Sequence, residues 1–96
     1  MHKLFGKTIY TIIYAASDID KGCFHFSEAR GSYLSLSAAR KELARQIEEE
    51  KTELDGRYDC EEHDGDRWEM YQDGFAAAAY SRLEIVTTTL HLERSA

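Results

Sequence analysis

Thr8-Ile9-Tyr10-Thr11-Ile12-Ile13-Tyr14-Ala15-Ala16 is an almost unbroken run of β-branched and aromatic residues closed by two alanines. Such side chains pack well on a pleated surface and crowd the preceding turn of a helix, so the stretch predicts a β-strand. Alternation puts Ile9, Thr11 and Ile13 on one face and Tyr10, Ile12 and Tyr14 on the other. Both faces are apolar enough for a central strand, or for one whose tyrosines meet a partner. The polar segment Ser17-Asp18-Ile19-Asp20-Lys21-Gly22 then reads as a turn. Cys23-Phe24-His25-Phe26-Ser27-Glu28-Ala29 follows as a second strand, with Phe24 and Phe26 opposed to Cys23, His25 and Ser27. Together they predict an antiparallel hairpin.

Leu36, Ala39, Leu43, Ile47 and Leu54 recur near helical spacing, with Ala44 beside them. Ser35 or Ser37 supplies an N-cap oxygen for an orphan backbone N–H. Gly56 suits the left-handed position that ends a helix. Beyond it the pattern predicts strands over residues 58–62, 67–71 and 83–89, joined by two Asp-Gly turns. A three-residue loop His63-Asp64-Gly65 sets Cys60 opposite Trp68, Tyr58 opposite Met70 and Glu61 opposite Arg67, pairing apolar with apolar and acid with base. Phe75-Ala76-Ala77-Ala78-Ala79 is read as strand, with a helical turn as the alternative.

The fold expected is therefore α+β: an antiparallel sheet of four to five strands packed against one helix, in the order β-β-α-β-β-β. The 96 residues suit one domain, with residues 91–96 a frayed tail. Leu36, Leu43 and Ile47 should meet Ile9, Ile13, Phe24 or Phe26, Trp68, Leu83 and Ile85. Tyr10, Tyr14 and Tyr71 are read as rim residues, where a phenol can face a partner.

The formal charge is −6, which argues against nucleic acid and anionic membrane as direct partners. The charge is not evenly spread. Glu48, Glu49, Glu50, Glu53, Asp55, Asp59, Glu61, Glu62, Asp64 and Asp66 lie within one stretch opposed only by Lys51 and Arg57. That stretch carries −8 and the remaining residues together +2. If these carboxylates form one continuous field, they mimic the spaced phosphates of DNA and would steer toward a basic protein surface. A solvated acidic face serving solubility is the plain alternative. The acids also crowd the C-terminal half of the helix, where the macrodipole disfavours them.

Other chemistries find little support. The span from Asp55 to Asp66 lacks the ligand offsets of a calcium loop. Cys23, His25, Cys60 and His63 contain the donors of a zinc site, but their spacing departs from zinc-finger patterns; structural thiols and exposed imidazoles suit them better. No phosphate-binding loop, dinucleotide fingerprint or nucleophile elbow occurs, and no third group orients a Cys–His pair. Neither catalysis nor a cofactor is expected. The start lacks the apolar run of a signal peptide, and two cysteines make no disulfide framework, so a cytoplasmic location with reduced thiols is expected.

A short chain with a strand pair, one helix and an acidic hairpin at Asp64-Gly65 resembles the small acidic inhibitors of phages and mobile elements, anti-CRISPR proteins among them. The resemblance implies a stoichiometric, protein-binding inhibitor, monomeric or homodimeric. It would occupy a basic, nucleic-acid-binding groove of a bacterial defence nuclease complex, such as a CRISPR effector subunit, in the host cytoplasm. A regulatory or antitoxin-like module that pairs through a strand edge is the alternative.

Overall fold

The computed structural model describes residues 7–18 and 24–90; the expected residues 91–96 tail, most of the first turn and Cys23 lie outside them. Strands β1 (Lys7–Asp18) and β2 (Phe24–Tyr33) lead to helix α1 (Leu36–Leu54), followed by β3 (Cys60–Asp64), β4 (Arg67–Tyr71) and β5 (Tyr80–Leu90). The strands form one antiparallel sheet in the order β2-β1-β5-β4-β3. The α+β class, the single helix and the element order are as the sequence indicates. β1 lies between β2 and β5, as its two apolar faces suggest.

The helix begins at Ser35, whose Oγ accepts from the Ala38 N–H at 3.2 Å. At its end Asp55 already takes the left-handed conformation, φ 48°, and donates its N–H to the Lys51 carbonyl at 3.1 Å. Gly56, at φ 77°, continues the same turn. Leu43 and Ile47 press onto Ile12, Tyr14, Trp68 and Leu83, with Tyr33, Leu54, Met70 and Ile85 packed around them.

Four expectations are corrected. First, β1 turns its Ile12 and Tyr14 face to the helix, whereas Ile9 and Ile13 lie on the other face, which no described element covers. The composition of β1 does not decide between the faces; the Tyr14 hydroxyl does, since beneath α1 it donates to Glu50 and accepts from Ser81. Tyr14 is thus a core residue and not a rim one. Second, the β3–β4 hairpin pairs Asp64 with Arg67, His63 with Trp68, Glu62 with Glu69 and Cys60 with Tyr71. Gly65 and Asp66 form the turn, and Gly65, φ 60°, takes its first central position, where positive φ favours glycine. The opposed Glu62 and Glu69 are tolerated because Arg67 and Arg82 reach Glu69 at 3.2 Å and 3.7 Å.

Third, residues 75–79 form a helical turn. The Ala78 and Ala79 N–H groups both donate to the Phe75 carbonyl, at 2.9 Å and 2.8 Å, and Gln72 N–H closes onto the Ala79 carbonyl. Alanine's helical preference wins over the flanking strand pattern. Fourth, strand limits shift: β2 runs on to Tyr33, β3 starts at Cys60, and β5 starts at Tyr80.

Candidate functional site

The ten carboxylates singled out by sequence do not form one field. Strand alternation separates those of β3: Glu61 lies on the helix side, where it accepts from Trp68 Nε1 at 2.8 Å and meets Lys51 Nζ at 3.4 Å. Glu62 and Asp64 lie on the opposite face, Glu62 accepting from the Tyr71 hydroxyl at 2.6 Å. Asp66 is held by Arg40 of α1 at 2.8 Å, and Glu49 by Arg45 at 2.8 Å. Asp59 accepts from the Asp73 N–H at 2.9 Å. Among the described residues no base pairs with Glu48, Glu50, Glu53, Asp55, Asp59, Glu62 or Asp64. Continuity in the sequence therefore becomes several groups of charge: Glu50 and Glu53 on the groove side of α1, Glu48 and Asp55 on its other side, and a further group on the far face of β3.

Glu50 and Glu53, with Glu49, line a groove of about 720 Å³ between α1 and strands β1, β2 and β5. That volume falls in the range of about 300–1,000 Å³ usual for binding sites. Four aromatic residues, Tyr14, Phe26, Tyr58 and Tyr80, form part of its walls. Glu50 Oε2 accepts from Tyr14 Oη at 3.1 Å and from Ser81 Oγ at 2.8 Å. The Arg30 guanidinium lies 3.8 Å from the centre of the Tyr14 ring while its Nε pairs with Glu28 at 2.7 Å. Gln46 Nε2 donates to the Arg30 carbonyl at 3.1 Å and ties this part of β2 to the helix. Burial, ahead of the Glu50 charge, raises the Tyr14 phenol above its usual value.

Of the residues lining the groove, the sequence singles out Glu49, Glu50 and Glu53 among the acids and Tyr14 as a tyrosine that can face a partner. Tyr14 and Ser81 are 67 residues apart, and no local pattern joins them. Cys60 is half-buried; burial, then Asp59 and Asp73, push its thiol pKa up. No helix among the described residues is long and apolar enough to cross a membrane.

Three perturbed carboxyls and two phenols set a pH dependence. Glu42 is lowered to about 2 by hydrogen bonds from Arg45 and Gln46. Glu61 is lowered by Trp68 and Lys51, and Asp66 by Arg40. Because the folded state holds these protons more weakly, their contribution is complete above the unfolded carboxyl range of about 4–4.5. It is lost as pH falls toward about 2 for Glu42. Tyr71, raised to about 12 by its bond to Glu62, works in the opposite sense. Its contribution is complete below about 10 and lost as pH rises through the folded value. A plot of Tm against pH should fall at both ends. Glu42→Gln should soften the acid fall and Tyr71→Phe the alkaline one.

Compared with protein-family models, curated proteins and solved structures, the chain matches none.

Proposed function

We propose that this chain is a protein-binding inhibitor that presents the carboxylates of the C-terminal half of α1 to a basic surface of its partner. The observation that carries the reading is that Glu48, Glu50, Glu53 and Asp55 share that part of the chain with no cation paired to any of them among the described residues. Acids at a helix C-terminus oppose the macrodipole, and of the four only Glu50 gains hydrogen bonds from other elements among the described residues, from Tyr14 and Ser81. A partner's lysines and arginines would relieve both the mutual repulsion and the dipole conflict. The partner class is a nucleic-acid-handling protein with a basic groove, and bacterial CRISPR effector complexes are the targets to test.

The test is target cleavage by purified effector complexes at rising ratios of this chain. Inhibition should reach completion near stoichiometry and weaken with salt. Replacing Glu48, Glu50, Glu53 and Asp55 together by their amides should weaken it by about tenfold or more and flatten its salt dependence. Undiminished cleavage at excess inhibitor, or inhibition indifferent to the four amides, contradicts the reading.

A second reading is favoured by the sheet edges. β2 spans ten residues and, among the described residues, pairs with β1 alone, whereas the opposite edge, β3, spans five and carries Glu61, Glu62 and Asp64. Short length and like charge discourage pairing at β3; β2 has neither protection apart from the bulge near Arg30. Pairing there would give a mass by light scattering that rises with concentration and ignores salt.

A further inference from the structure

The groove between α1 and strands β1, β2 and β5 has an unbalanced charge. Its four acids are Asp18, Glu49, Glu50 and Glu53, and its two bases are Arg30 and Arg57. Arg57 pairs with Asp18 at 3.1 Å, Arg30 with Glu28 and Glu49 with Arg45. Glu50 and Glu53 are left over. They stand three residues apart on one helix, a spacing that makes them surface neighbours. Glu50 is half-buried and receives only neutral donors, the Tyr14 and Ser81 hydroxyls. A partly desolvated carboxylate beside a like charge is an unfavourable arrangement that a cation corrects.

The aromatic wall narrows the choice of cation. Arg30 already places a guanidinium 3.8 Å from the centre of the Tyr14 ring. Phe26 and Leu54 add apolar surface along the groove. A guanidinium has a planar fork of donors suited to two neighbouring carboxylates, and a three-carbon stem that packs on apolar walls. An ammonium is a compact, strongly hydrated charge with less to gain here.

We propose that this groove is a binding site for an arginine side chain presented by a basic segment of the partner protein, with Glu50 and Glu53 receiving the guanidinium. The inference deepens the proposed function by naming what the helix-borne acids grip, and it rests on that reading.

The experiment is fluorescence anisotropy with a short labelled peptide of alternating arginine and glycine, beside versions carrying lysine or uncharged citrulline in place of arginine. Binding in the order arginine, lysine, citrulline is expected. Glu50→Gln and Glu53→Gln should each weaken the arginine peptide by about tenfold, the scale of one charge-assisted hydrogen bond. Glu53→Gln touches no hydrogen bond among the described residues, and thermal unfolding of the variant separates a loss of binding from a loss of fold. Glu62→Gln and Asp64→Asn, on the far face, should leave affinity unchanged. If Glu48→Gln and Asp55→Asn weaken binding while the groove variants do not, the groove inference falls and the proposed function stands. If citrulline binds as well as arginine, or no carboxylate variant matters, both fall.

Discussion

Trp68→Ala should lose about 3–5 kcal/mol of unfolding free energy, the usual cost of truncating a buried aromatic to alanine. Trp68 is fully buried and sits where Ile12, Leu43, Ile47 and Leu83 converge. It joins the two halves of the sheet: its strand pairs with β3 on one side and with β5 on the other. Its indole N–H also donates to Glu61 at 2.8 Å, so the truncation leaves that carboxylate dependent on Lys51. A small domain has about 5–15 kcal/mol in total, and the loss would consume much of it. Urea unfolding followed by far-ultraviolet circular dichroism measures it, since the variant has no other tryptophan for fluorescence. Trp68→Phe should fall between, keeping most of the packing while losing the indole donor. A Trp68→Ala loss below about 1 kcal/mol, the scale of a surface change, would contradict the packing described.

Gly31→Val is the second large effect. Gly31 sits at φ 117°, where a β-branched residue is strained, and a Cβ there would stand 2.8 Å from the Tyr33 hydroxyl oxygen and 3.1 Å from its ring. The strain alone is worth about 1–3 kcal/mol. The position also has a functional consequence. Between Thr11 and Ile13 the β1–β2 register shifts, two β2 residues, Arg30 and Gly31, standing against Ile12. Such a bulge re-aims side chains. Here Arg30 reaches the face of Tyr14 and its carbonyl receives Gln46. Gly31→Val should therefore lower Tm and also loosen one wall of the groove. Thermal unfolding reads the first effect. A changed ultraviolet titration of the tyrosines, with the Tyr14 phenol moving toward its ordinary value as burial is lost, reads the second.

These two positions show where the sequence is informative. Trp68 is recognisable as core from its place in a short apolar-alternating strand. The bulge at Arg30 and Gly31 is not, because it depends on how β1 and a helix residue meet β2. The helix was legible from Ser35 to Leu54, since capping and spacing are local. The face of β1 was not: Ile9 and Ile13 are as apolar as Ile12, and the choice follows from residues distant in the chain, Glu50 accepting from the Tyr14 hydroxyl and Ser81 donating to it. The β3–β4 register misled for the same reason. Pairing rules within the hairpin reject Glu62 opposite Glu69, yet Arg82 of β5 helps to make that pairing tolerable. The acids were legible as a composition but not as a surface. Adjacent Glu61 and Glu62 point to opposite sides of the sheet, and Arg40, Arg45 and Lys51 each take one carboxylate out of the outward-facing set.

Under the proposed function the partner meets α1 on its groove side, where Glu50 and Glu53 have no paired base among the described residues. Amide-resolved nuclear magnetic resonance, with the arginine–glycine peptide titrated into the labelled protein, locates that side directly. The largest shifts should fall on Glu50, Glu53 and the neighbouring Tyr14 and Ser81, with Glu62 and Asp64 unmoved. Shifts centred on β3's far face, or spread evenly over every acidic residue, would contradict a helix-borne binding surface.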